Sequence, residues 1–188
     1  EEKVERESVA ARPDVVNIMQ FALSQGKRVV LASDMYLPRL VIESMLSAQG
    51  IFGWHTLYLS SDIGLRKDSG DLYRHILEKE QVAPAQILMI GDNEHSDIQI
   101  PNDMGMKVWH VMRPVELARS MVRLTPLVDH ALSGQDLNEE LALGLLLRTN
   151  LEPVFYANFS SLDLVPPNHQ ALGYTVLGPL VLSFVQWL

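Results

Sequence analysis

Cysteine is absent from all 188 residues. Disulfides and thiolate zinc sites are thereby excluded, and a reducing, cytoplasmic setting is the expectation. Positive charge is scarce as well, with 15 Lys and Arg against 23 Asp and Glu and a formal net charge of -8. A general nucleic-acid binder needs a basic footprint, so that class is set aside. The acidic balance leaves room for a cation site. No Gly-rich phosphate loop of either common kind occurs, which gives little weight to a nucleotide-binding or receiver-like α/β domain. His55, His75, His95, His110, His130 and His169 show no metal-ligand spacing. Only His95 lies near the acids discussed below. No signal or targeting segment is visible. The apolar run from Leu172 to Leu188 is slightly short for a membrane span and is interrupted by Pro179, Ser183 and Gln186, so a packed helix is expected there.

What is present is core-forming material: 47% of the chain is apolar, enough to argue against global disorder. The charged opening "EEKVERESVAARPD" reads as the tail of a helix. Pro13 starts an apolar helical pattern that Gly26 stops. "RVVLAS" then reads as a buried strand. "LPRLVIESMLSAQG" reads as a helix, "TLYLS" as a strand, and "SGDLYRHILEKEQ" as a helix with Leu72, Tyr73, Ile76 and Leu77 on one face. "QILMIG" is a third strand, "HSDIQIPNDMG" a short helix that Pro101 cuts or kinks, and "KVWHV" a fourth strand. Strands alternating with helices four times predict the α/β class, a Rossmann-like doubly wound parallel sheet. After Arg113 the alternation stops. Residues 1–115 are expected to form the α/β domain and residues 116–188 a mostly helical extension, with helices at "PVELARSMVRL" and "NEELALGLLLR" and a proline-bearing connection after them.

In such sheets ligands bind beyond the carboxyl ends of the strands. Three strands deliver polar groups there: "VVLA" leads to Ser33 and Asp34, "LYLS" to "SDIGLRK", and "ILMI" to "GDNEHSD". Asp92 and Asp97 are hard oxygen donors that suit Mg²⁺. Asp92, at the strand end, is the expected direct ligand. Asp97 acts at one remove or through water, and Asn93 adds a neutral oxygen. Gly91 permits a sharp turn. Against this stands the plainer role of Ser96 or Asp97 as a cap of the next helix. Lys67 would offset the carboxylates and hold a phosphate oxygen, although lysine is usually solvated and the adjacent Arg66 is not separable from it by sequence. Ser33 would bind a phosphate oxygen with the following backbone N–H groups, and Asp34 would shape the loop. For either residue alone a simple turn role is the stronger alternative.

Taken in order, Ser33, Lys67 and "GDNEHSD" resemble the second, third and fourth motifs of the haloacid dehalogenase (HAD) superfamily of phosphohydrolases, over roughly Val29 to Val111. The phrases "LASDMYLP", "RKDSGDLY" and "MIGDNEHSD" look like a branch attached to glycan- and glycosyltransferase-related proteins, as does "LGYTVLGPLVLSFVQWL". The resemblance implies two-step phosphoryl transfer through an aspartyl-phosphate, with Mg²⁺ as cofactor and Ser33 and Lys67 holding phosphoryl oxygens. A small phosphorylated metabolite, a sugar phosphate given the branch, is the implied substrate.

One part is missing. The superfamily's first motif is an Asp-x-Asp after a strand, and no Asp-x-Asp occurs in this sequence. That strand is central in the family, between those ending at Ser33 and Ile90. Its loss would leave unpaired backbone groups in the core, so it is expected from an upstream segment or another chain. Direct pairing of Val29–Ala32 with Ile87–Ile90 would refute this. Two function classes remain: a Mg²⁺-dependent phosphohydrolase, or a non-catalytic HAD-like module that positions a glycan-biosynthesis partner domain. For the first, Lys67→Ala is expected to cost rate rather than folding.

Overall fold

The computed structural model describes residues 3, 5, 6, 9–122, 124–134 and 137–151. The Leu172–Leu188 run, the connection after residue 151 and residues 1, 2, 4, 7 and 8 of the charged opening lie outside them. The chain divides into two compact units, Glu1–Val111 and Met112–Leu188.

In the first unit Pro13 occupies the first turn of helix α1 (Pro13–Ser24) with Asp14 beside it, where a missing N–H and a negative charge are both favourable. Strand β1 (Val30–Ser33) and strand β2 (Thr56–Leu59) pair in parallel, Val30 with Thr56 through Ser33 with Leu59. Helix α2 (Arg39–Ala48) makes the crossover between them. Side chains alternate across this ladder as the strand period requires. Leu31, Leu57 and Leu59 pack with Val41, Ile42 and Met45 of α2 on one face. Val30, Ala32 and Tyr58 pack on the opposite face against Leu72, Tyr73 and Ile76, which lie on helix α4 (Asp71–Glu80). Between β2 and α4 runs a single turn, α3 (Ser60–Ile63).

Strand β3 (Leu88–Gly91) and strand β4 (Lys107–His110) form a second parallel ladder, Leu88 with Lys107 through Gly91 with His110. Ile87 and Met89 join the same cluster under α4 that receives Val30 and Ala32. One helix face thus packs against both ladders. The opposite face of the second ladder is open, with Leu88 and Trp109 exposed.

Two elements differ from the sequence expectation. A single doubly wound sheet was expected; among the described residues the four strands form two separate parallel pairs, β1 with β2 and β3 with β4. The direct β1–β3 pairing that would close them into one sheet does not occur. The segment after β3, expected as a short helix that Pro101 cuts or kinks, is a π-helical stretch, Glu94–Gln99, running into α5 (Ile100–Asp103). Pro101 ends that register, because it has no N–H to donate.

The second unit is helical through residue 151: α6 (Pro114–Ser120), α7 (Thr125–Ser133) and α8 (Leu137–Leu151). Leu117, Ala118, Leu124, Val128, Ala131, Leu143 and Leu147 form its own core. Helix α7 has no counterpart in the sequence reading, since "TPLVDHALS" begins on a proline-containing turn and is short. No described helix is long and apolar enough to cross a membrane.

Candidate active site at the strand ends

The site begins at Gly91, the last residue of β3. A Cβ built there would lie 2.4 Å from Oδ2 of Asp97 and 2.5 Å from its Cβ. No residue with a side chain fits, because Asp97 folds back against the strand end. Asn93 creates this fold-back. Its Oδ1 accepts the N–H of His95 at 3.1 Å and of Ser96 at 2.9 Å, so it caps the π-helical stretch. Its own N–H donates to Oδ2 of Asp97 at 3.2 Å, and its carbonyl accepts the Asp97 N–H at 2.8 Å. The amide oxygen expected for a metal is therefore occupied with two backbone donors.

Asp97 is 3% exposed, and Lys67 meets it from another loop. Lys67 Nζ donates to Asp97 Oδ1 at 2.6 Å, with both side chains largely removed from water. This separates Lys67 from Arg66, whose guanidinium turns outward to Asp68 at 2.7 Å. The Lys67 loop is held from two sides. The Asp34 carboxylate accepts the Lys67 N–H at 3.0 and 3.2 Å, and the Lys67 carbonyl accepts the N–H of Gly70 at 2.9 Å. Gly70 has φ +79°, the left-handed conformation that suits glycine, and it starts α4 directly behind the lysine.

A continuous polar chain therefore runs from Asp34 after β1, through Lys67 after β2, to Asp97 after β3. Two of the remaining expected residues stand beside it. Ser33 Oγ accepts the Met35 N–H at 3.3 Å, closing a local turn. Asp92 is exposed, and its carboxylate takes no hydrogen bond or ion pair from another described residue. Its carbonyl faces His110 Nε2 at 3.3 Å. Meanwhile His95 is exposed and pairs through Nδ1 with Gln99 at 3.1 Å. Among the described residues no three His, Asp or Glu gather closely enough to hold a metal by themselves.

Tyr73, absent from the expected site, sits in its floor. The side chain is 2% exposed; its hydroxyl donates to the Ser96 carbonyl at 2.7 Å and lies 3.4 Å from Asp97 Oδ1. Burial first, then the carboxylates of Asp97 and Asp34, push its pKa up, so it stays a protonated donor. Tyr73 reads in the sequence as one core position of an amphipathic helix, and only its hydroxyl marks it apart.

A family model for haloacid dehalogenase-like hydrolases matches residues 1–105. The chain belongs to this family. The polar chain, with its acids after β1 and β3 and its lysine between, lies inside the matched region of this HAD-like hydrolase. The helical second unit follows it.

Proposed function

We propose that this HAD-like domain is the main part of a Mg²⁺-dependent phosphohydrolase of the cytoplasm, acting on a small phosphorylated metabolite of the sugar-phosphate class. The observation that carries this reading is the buried Lys67–Asp97 pair, fixed at 2.6 Å between the ends of strands from two ladders. A lysine held this rigidly beside exposed acids is positioned to neutralise phosphoryl oxygens, and in phosphoryl transfer positioning and charge neutralisation supply most of the catalysis.

The donors present suit Mg²⁺ in kind. Asp92 offers an uncommitted carboxylate, while both oxygens of Asp97 already accept hydrogen bonds. Asp92 is thus the direct ligand, Asp97 holds Lys67, and Asn93 fixes the turn rather than donating to the ion. Mg²⁺ is commonly bound by one or two carboxylates with waters and substrate phosphate completing the shell. When bound it supplies charge neutralisation to the phosphoryl group. Ser33 and Asp34 flank the phosphate, with Asp34 acting through the Lys67 backbone.

The nucleophile belongs to a strand lying between β1 and β3, which would complete a single doubly wound sheet. Two observations support that placement: the separation of the four strands into two pairs among the described residues and the single helix face packed beneath both. An aspartate oxygen on that strand attacks phosphorus, the ester oxygen leaves with a proton, and water releases inorganic phosphate from the aspartyl-phosphate. The second unit then leads toward a glycan-related domain. The missing Asp-x-Asp favours a second reading, a module that binds without turnover.

The test uses the complete protein with p-nitrophenyl phosphate and a Mg²⁺ titration. Asp92→Asn should raise the Mg²⁺ midpoint at least about tenfold, since a charged ligand is lost. Because Asp92 is exposed, folding should be unaffected. Full activity with an unchanged midpoint would remove Asp92 from the metal site. Phosphate binding with no turnover in the wild type would favour the module.

A further inference from the structure

The π-helical stretch ends where its hydrogen-bond register fails. The Ile100 N–H donates to the His95 carbonyl, five residues back. The next bond in that register would run from residue 101 to the carbonyl of Ser96. Residue 101 is proline and has no N–H to give. Ser96 is buried, as are Asp97 and Pro101, so water is a poor substitute and an unpaired carbonyl there is costly. The missing donor arrives from another element: the Tyr73 hydroxyl, on α4, at 2.7 Å. The same oxygen lies 3.4 Å from Asp97 Oδ1, the atom that receives Lys67.

We infer that Tyr73 is a positioning residue whose hydroxyl replaces the N–H that Pro101 lacks, and so fixes the turn that holds Asp97 against Gly91 and Lys67. Only its bearing on catalysis rests on the phosphohydrolase reading; its bearing on the turn does not. Nothing in this arrangement involves substrate contact. Tyr73 acts through Ser96 and Asp97.

The pairing of Tyr73 with Pro101 makes the inference testable by rescue. In Tyr73→Phe, amide hydrogen exchange at Asn93 and Asp97, measured without Mg²⁺, should quicken about tenfold, as expected for loss of one buried hydrogen bond. Adding Pro101→Ala supplies a backbone N–H to Ser96 and should return both rates close to wild type. Ser44→Ala removes a hydroxyl on α2 that donates to the Val41 carbonyl, away from α4, and should leave these amides unchanged. In the complete protein Tyr73→Phe should lower kcat on p-nitrophenyl phosphate with little change in KM, and Pro101→Ala should restore it. If Tyr73→Phe fails to fold, the double variant should fold. Unchanged exchange in Tyr73→Phe, or no recovery in the double variant, overturns the inference. The expected exchange pattern in a complete protein without phosphatase activity would sustain the Tyr73 assignment and defeat the proposed function.

Discussion

Lys67 carries the heaviest consequences of any single residue. Its ammonium is enclosed with the Asp97 carboxylate, and removing one partner of a buried pair leaves the other charged and dry. Lys67→Ala should therefore destabilise the domain by about 3 kcal/mol, in the range for broken buried pairs. From sequence the expected cost is in rate rather than folding; the burial of the pair adds an expected cost in folding. Asp97→Asn added to it should recover part of the loss, because the stranded charge disappears. Urea unfolding of the two single variants and the double variant gives the coupling directly; strictly additive losses would mean that the pair does not interact. Much of this residue-level picture is legible in the sequence. Glycine followed by acids at a strand end marks Gly91, Asp92 and Asp97, and the order of Ser33 and Lys67 ahead of them is informative. What is not legible is direction. Lys67 and Arg66 are equivalent as letters, and only the fold turns one inward and the other toward Asp68. The same holds for Asn93, whose amide serves a cap, and for Tyr73, which is one more large residue on an apolar face.

At the scale of elements, helix α4 is pinned at its far end by a carboxylate. Glu80 accepts from the Arg28 guanidinium and from the Tyr58 hydroxyl at 2.7 Å, and Arg28 also reaches Thr56 Oγ1 at 3.2 Å. The clip joins the entrances of β1 and β2 to the end of α4. Arg28 draws the Glu80 pKa below the usual carboxylate value, against the opposing effect of burial. Burial and then Glu80 push Tyr58 up to about 12. A carboxylate whose folded pKa is depressed stabilises fully above its unfolded value, about 4.3, and loses that contribution as pH falls through the folded one. Melting temperature should thus fall more steeply from pH 5 toward pH 3, values of about that range, in the wild type than in Glu80→Gln. Arg28 is half exposed, so the difference should be small and shrink with salt. Identical slopes would exclude the clip as an acid-sensitive contact. Strands and long helices were legible because alternation and helical spacing leave a strong pattern. The π-helical stretch was not, since it depends on a register failure at Pro101 answered from a distant helix.

For the whole molecule, the unjoined ladders set the next prediction. A chain that also carries a parallel strand with Asp-x-Asp, in the same polypeptide or as an added peptide, should melt several degrees higher than the 188-residue chain. A gain of about 1 kcal/mol moves the melting temperature of a domain this size by roughly 2–4 °C. Protection of Val30–Ser33 and Leu88–Gly91 amides should rise with it. No shift and no added protection would leave the inner edges without the proposed strand. The alternation of elements conveys the α/β class, but which strands bond to which depends on long-range pairing that local pattern does not encode.

Helix α4 has 10 residues, a rod of about 15 Å. One end is clamped by Arg28 and Glu80, and near the other Tyr73 supports the turn beneath Asp97. It thus works as a lever. Its alignment, and with it the spacing between Lys67 and the acids, is set in part at the opposite ends of the strands. Substitutions at Arg28, at the far end of α4 from Lys67 and Asp97, should therefore register as altered geometry around that pair.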